Sequence, residues 1–339
     1  MTQQITQTIA DALQKRRGLF QSNSAADAGA LRLFNGFYEG LPEISLDVYA
    51  GTLVIQYFGK KECPDQALID QVLAAVSAEL PDLDCVLLKS RFSTNEENRR
   101  GTILKGEKPA EWITEWGIKY AIDLQINQDS GFYLDCSLLR QWLLQHCLDK
   151  QVLNTFAYTG SLGIAALTGG AAQVVQTDIN GTFLTQADKS IAANYLSSEN
   201  ISSIAGDFFQ VTAAMRREKR LFDIIILDPP VFSKTRGGIV DIQRNYPALI
   251  NKIRPLAADG GIIVAINNAL YLSGADYLSQ LHQSTEDGYI QVGESIPVPQ
   301  SFFGFSEKLS HLPADPTPFN HPTKINLLHV TRKDGKKSS

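Results

Sequence analysis

The chain has 339 residues, of which 44% are hydrophobic and 20% charged, with a formal net charge of −5. That length exceeds what one hydrophobic core usually serves, so two domains are expected, and the composition excludes a disordered chain. Net acidity argues against general non-specific nucleic-acid binding, and no apolar run approaches the roughly 20 residues that span a bilayer.

In chain order, residues 1–20 read as a helix with a basic end, Lys15-Arg16-Arg17. This basic cluster follows the apolar residues rather than preceding them, so the segment does not resemble a secretory signal and the cytoplasm is the expected location. From Ala30 to Gly59 the pattern changes to three strands, with Ala50-Gly51 as a hairpin turn. A helix over Gln66–Leu80 and a strand at Cys85–Leu88 complete a small α+β domain, expected over residues 1–115 with residues 1–29 as a helical extension. The polar segment 91–115 reads equally as linker or functional loop.

The second domain, residues 116–339, opens with an alternating strand over Ile118–Ile126, the stretch Ser130-Gly131-Phe132-Tyr133-Leu134-Asp135, and an amphipathic helix around Trp142. From Gln151 strands and helices alternate. The strands are expected at 152–157, 173–179, 201–206, 222–228, 261–267, 289–296 and 325–332, and the helices at 161–169, 183–196, 208–218, 241–257 and 275–284. Seven such strands make a doubly wound α/β sheet, which binds ligands at its carboxyl edge.

The chemistry gathers at those strand ends. Val152 to Gly163, VLNTFAYTGSLG, reads as strand, tight turn and helix start, with Asn154, Phe156, Tyr158, Thr159, Gly160 and Ser161 beside any ligand at that edge. The second strand ends in Asp178-Ile179, where a carboxylate can accept from both hydroxyls of a ribose. The third ends in Asp207-Phe208, an acceptor for an adenine amino group and an aromatic edge. The fourth runs into Asp228-Pro229-Pro230-Val231-Phe232, whose prolines stiffen the chain into a wall with outward carbonyls, and the fifth ends in Asn267-Asn268. Each has a plainer reading, since an Asp after a strand is often a helix cap and paired Asn often form a turn. Four successive ends in one order favour a nucleoside cofactor. Tyr158 stands where a dinucleotide fingerprint needs its first Gly, which favours S-adenosylmethionine over NAD.

These residues, together with Ala30-Leu31-Arg32-Leu33, Gly40-Leu41-Pro42, Leu46-Asp47-Val48-Tyr49, Ser233-Lys234 and Asp241-Ile242-Gln243-Arg244-Asn245-Tyr246, resemble the class I S-adenosylmethionine-dependent methyltransferases that modify bases of bacterial large-subunit ribosomal RNA. The resemblance implies a Rossmann-like seven-stranded sheet with its last strand antiparallel and a smaller N-terminal α+β domain. It also implies S-adenosylmethionine as cofactor, 23S ribosomal RNA as partner, and neither metal nor membrane. By the resemblance, Asp135, Asn154, Phe156, Tyr158, Thr159, Gly160, Ser161, Asp178, Ile179, Asp207, Phe208 and Asp228 would hold the donor. Asp228, Pro229, Phe232, Asn267 and Asn268 would hold the target base, and Lys234 and Arg244 would contact phosphate.

Two branches of the family differ in chemistry. Cytosine C5 becomes nucleophilic only after a cysteine adds to C6. Of the four cysteines, Cys63, Cys85, Cys136 and Cys147, none stands beside the Pro-Pro stretch or after the fifth strand, and none has a metal-site spacing. The closer resemblance is to the guanine-N7 methyltransferase half of a bifunctional 23S ribosomal RNA enzyme, which shares Tyr158-Thr159-Gly160-Ser161, Asp228-Pro229-Pro230 with Phe232-Ser233, Asp241 with Gln243-Arg244, and Asn267-Asn268. Guanine N7 carries an in-plane lone pair and needs positioning rather than a nucleophile. One departure is Asp135-Cys136-Ser137, where the family continues Asp-Gln-Arg. A protein or small-molecule methyltransferase, an NAD-dependent oxidoreductase and a non-catalytic RNA-binding protein are the other classes, and monomer or homodimer stays open.

Overall fold

The computed structural model describes residues 2–21, 29–305 and 322–332, and the chain divides into two compact units, Met1–Ser137 with Pro299–Ser310 and Leu138–Val298 with His311–Ser339. In the first unit, helix α1 (Thr2–Gln21) and strand β1 (Ala30–Asn35) precede a short helix α2 (Gly36–Glu39), β2 (Ile44–Tyr49) and β3 (Thr52–Tyr57). Helix α3 (Gln66–Glu79) then crosses to β4 (Cys85–Ser90), which pairs parallel to β3. All other pairings in the five-stranded sheet β1-β2-β3-β4-β5 are antiparallel. Ile9 and Leu13 of α1, Ile69 and Val72 of α3, and Leu53 and Ile55 of β3 share one core, the apolar face that each helix must bury.

The segment expected as linker or loop carries structure: helix α4 (Glu96–Arg100), edge strand β5 (Thr102–Lys105) and β6 (Trp112–Glu115), which pairs with β7 (Ile118–Ala121), the shorter form of the strand expected over Ile118–Ile126. Arg99 and Arg100 of this segment, with Lys89 of β4, serve the fold. Arg100 Nη2 donates to Ile126 O at 2.9 Å, Lys89 Nζ to Asn127 O at 2.9 Å and Asp129 O at 2.7 Å, and Arg99 Nη1 to Ser93 O at 2.7 Å. Arg16 is wholly buried and forms a two-pronged pair with Glu39 at 2.9 Å, donating also to Ser301 O. Of the basic clusters in the sequence, Lys15-Arg16-Arg17, with Lys15 donating to Phe305 O and Arg17 paired with Glu79, and Arg99-Arg100 are thus largely engaged within the chain. The cluster at Lys333, Lys336 and Lys337 lies outside the described residues.

Helix α5 (Ser137–His146) leads into the second unit, where β8 (Gln151–Thr155), α6 (Ser161–Thr168), β9 (Gln173–Asp178), α7 (Gly181–Ala193), β10 (Ile201–Ala205), α8 (Phe208–Arg217) and β11 (Phe222–Leu227) alternate. A small hairpin, β12 (Phe232–Lys234) with β13 (Ile239–Asp241), precedes α9 (Tyr246–Ile253). After it come β14 (Ala257–Asn267), α10 (Gly274–Gln283), β15 (Ile290–Ser295), α11 (Gln300–Phe303) of the first unit, and β16 (Lys324–Val330). Among the described residues the sheet has seven strands in the order β10-β9-β8-β11-β14-β16-β15. β10, β9, β8, β11 and β14 run parallel, and β16 pairs antiparallel with both β14 and β15, as the resemblance implies. The order reverses at β8, so the ends of β8 and β11 flank the switch point.

The helix expected over 241–257 begins instead at Tyr246, with Pro247 in its first turn, where a missing N–H is harmless. Residues 239–241 fold back on 232–234 because Gly237 and Gly238 form the turn, closed by Thr235 N donating to Gly238 O at 2.9 Å.

Candidate active site

β8 ends on Asn154 and Thr155, both buried, and Thr155 Oγ1 donates to Ile226 O of β11 at 2.7 Å. The chain then bends sharply, with Phe156, Tyr158 and Gly160 at φ of 55°, 52° and 80°. A non-glycine residue in the left-handed region stores on the order of 1–2 kcal/mol, and such strain clusters at ligand clamps. The turn is held from β9. Ala157 N donates to Thr177 O at 2.9 Å, and Tyr158 N donates to Asp178 Oδ2 at 2.9 Å. Asp178 Oδ1 accepts from Asn180 N at 2.9 Å, so one carboxylate pins the turns after both strands. Each of its oxygens keeps a second lone pair for a hydroxyl.

The two glycines answer to packing. A Cβ on Gly163 would lie 2.2 Å from Gln176 Oε1, and one on Gly160 would lie 2.8 Å from that oxygen and from Ala187 Cβ. Gln176 on β9 is fully buried, so glycine is required by the strand next door.

Aromatic rings follow. Phe156 stacks on Phe208 with centroids 4.7 Å apart and planes 27° apart, and Tyr158 meets Phe183 edge-on at 4.7 Å. Phe208 is buried in the core, so the half-buried Phe156 is the ring of that pair at the surface, while Ile179 is largely exposed. Asp207 is the N-cap of α8, its Oδ1 accepting from Gln210 N at 3.1 Å, and Gly237 of the hairpin turn passes against the same oxygen.

At the next strand end Asp228 is half-buried and Pro229 buried, whereas Phe232 is 62% exposed. The hairpin register, Phe232 opposite Asp241 and Lys234 opposite Ile239, places these four on one face, with Val240 buried on the other. Lys234 is exposed, and so is Arg244, which lies 4.0 Å from Asp241.

The asparagine pair divides. Asn267 is fully buried; its Nδ2 donates to Ile242 O at 3.0 Å and its Oδ1 accepts from Ala269 N at 3.0 Å. Asn268 is half-buried, and its Oδ1 is shielded from solvent with no hydrogen-bond partner. A shielded acceptor with no protein partner is satisfied by a water or by a ligand.

Two supports had no role in the sequence reading. The Tyr246 hydroxyl bridges the ends of β11 and β14, 3.1 Å from Leu227 O and 2.9 Å from Ile266 O. Lys324, 7% exposed, donates from Nζ to Ala269 O at 3.0 Å and Leu272 O at 2.7 Å. Tyr246 stood inside a quoted motif, whereas a lysine opening a late strand carried no signal. Asp135 lies in the first unit, buried on a single-turn helix (Leu134–Cys136), near Arg32, whose guanidinium binds Asp47 through both carboxylate oxygens at 2.7 and 2.9 Å.

Strained turn, ribose-type acceptor, aromatic face and proline wall fit a nucleoside donor in chemistry and order. Residues 32–303 match the family described as S-adenosylmethionine-dependent methyltransferase. The chain belongs to that family. Its membership sets aside hydride transfer as the reading of the first turn. Among relatives, the ribosomal RNA large subunit methyltransferase I of Aeromonas salmonicida is 32% identical over 75% of this chain and 62% of its own length. That of Photobacterium profundum is 32% identical over 76% of this chain and 63% of its own length. This methyltransferase-family chain therefore spans less than two thirds of those relatives. In fold, it resembles the crystal structure of SMU.776 complexed with SAH, with a TM-score of 0.84 at 22% identity, covering 97% of this chain and 82% of that one. No helix among the described residues is long and apolar enough to cross a membrane, and no cluster of metal-binding side chains occurs among them.

Proposed function

We propose that this chain transfers a methyl group from S-adenosylmethionine to a base of large-subunit ribosomal RNA, at guanine N7. The donor supplies an electrophilic methyl on its sulfonium. Asp178, already fixed by two backbone N–H groups, would accept from the ribose. Phe156 would lie against the adenine, Asp207 would accept its amino proton through whatever lone pairs the cap leaves, and Asn154, Tyr158, Thr159, Gly160 and Ser161 would line the rest. Asp228 and Pro229 would wall the target base, Asn268 would meet its edge, and Phe232 would pack on its face. Lys234 and Arg244 would take phosphates.

The single observation that carries the reading is the alignment of four chemically distinct strand ends on one edge, with a strained turn at the switch point. The relatives' names support the large-subunit RNA and lend nothing to guanine N7 in particular. The atom is argued from chemistry. A cytosine adduct needs a thiolate, but neither strand-end loop holds a cysteine, and Cys147 is buried with its thiol pushed up to about 12 by desolvation. What remains is in-line attack by a base that already has its lone pair, for which holding the base is the task.

The test is mass spectrometry of total RNA from cells with and without the gene. Loss of one 7-methylguanosine is expected. Loss of a 5-methylcytidine would overturn the atom, and an unchanged RNA profile would overturn the RNA substrate and turn attention to a protein or small-molecule acceptor.

A further inference from the structure

The loop after β14 is built in an unusual way for a connection. Ala269 is fully buried and Leu272 is 7% exposed, yet between them Leu270 and Tyr271 are 48% and 70% exposed. The two flanks are held from the interior. Asn267 Oδ1 accepts from Ala269 N, Leu272 N donates to Ala269 O at 3.4 Å, and the ammonium of Lys324, drawn from the opposite end of the domain's sequence, donates to the carbonyls of both Ala269 and Leu272. Burying an ammonium is unfavourable unless its donors are matched, and an ordinary turn achieves its shape with Gly, Asn or Ser alone. A braced turn that leaves a leucine and a tyrosine largely exposed is a platform.

Its place says what the platform is for. β14 and β11 are hydrogen-bonded neighbours, Ala265 opposite Leu227, so Tyr271 and the exposed Phe232 follow adjacent strands out of the same sheet edge. The loop from β11 also carries the exposed cations Lys234, Arg236 and Arg244. Exposed aromatic side chains and exposed lysine and arginine on loops from neighbouring strands of one sheet edge are the combination that holds unpaired nucleotides, rings taking bases and cations taking the backbone.

We propose that Tyr271, with Leu270 beside it on the turn that Lys324 braces, stacks on a nucleotide next to the target in a single-stranded stretch of the RNA substrate. This inference rests on the RNA reading above. It assigns Tyr271 to substrate affinity and not to donor binding.

Methyl transfer and filter binding on deproteinised 23S ribosomal RNA from cells lacking the gene test it, with calorimetry of S-adenosylhomocysteine alongside. Tyr271→Ala is expected to raise both KM and Kd for that RNA by about tenfold or more, with kcat and affinity for S-adenosylhomocysteine kept, and Tyr271→Phe is expected to stay near the parent protein. If Tyr271→Ala matches an active parent in KM and Kd, or if Tyr271→Phe loses as much as alanine, the stacking role is overturned. Loss of S-adenosylhomocysteine affinity in Tyr271→Ala would show a merely structural residue and overturn it as well. A parent protein that neither binds nor methylates the RNA would bring down the RNA reading itself.

Discussion

Asn267 and Asn268 are adjacent and chemically identical, and their surroundings give them opposite work. Removing the Asn267 amide leaves Ile242 O and Ala269 N without partners in a buried place. Asn267→Ala should therefore destabilise the second unit by about 2 kcal/mol, read as a lower midpoint in denaturant. Asn268→Ala removes an acceptor that has no partner, so its midpoint should hold within about 0.5 kcal/mol while methyl transfer falls. Equal midpoints for the two variants would refute this division. Nothing in the dipeptide itself distinguishes the two, because what separates them is the carbonyl of Ile242, brought over by the hairpin.

Among elements, the carboxyl edge depends on strands staying level, and Tyr246 at the start of α9 ties two of them. Its hydroxyl spans Leu227 O and Ile266 O, and its ring meets Tyr277 of α10 edge-on at 5.2 Å. Tyr246→Phe keeps the ring and loses the bridge, so a loss of about 1–2 kcal/mol is expected with the fold retained. The pH dependence follows from the phenol. Burial holds it well above its ordinary value of 10, so above about pH 10 the unfolded chain releases its proton first, and the stabilisation fades as pH rises further. Below that pH the difference between parent and variant should be flat, and a slope between pH 6 and 9 would assign the effect to another group. Most of these elements were legible from local pattern. The strands of the second unit fall within a residue or two of their expected ends apart from the earlier start of β14, since alternation and helical spacing are written in neighbouring residues. The hairpin before α9 went unread, because its two strands are three residues each, too short for alternation to show, and only Asp241 fell within the expected helix, which starts five residues late at Tyr246 beside Pro247.

Across the molecule the four thiols report on both units at once. Cys63 is exposed, while Cys85, Cys136 and Cys147 are buried. Under native conditions iodoacetamide should modify Cys63 alone, with the other three reacting only in denaturant and methyl transfer unaffected by the label. Rapid native labelling of Cys147 would mean that the second unit opens, and loss of transfer on labelling would reopen the question of a cysteine nucleophile. The sequence by itself determined the class of the fold, the chain order of the strand ends and the chemical types gathered there, because each depends on residues within a turn or a strand of one another. Only the tertiary structure decided which of those residues are free to meet a ligand. Arg16 answers to Ser301, Asn267 to Ile242, Gly163 to Gln176 and the Tyr271 turn to Lys324, and such partners are chosen by the packing of elements distant in sequence, where no local pattern reaches.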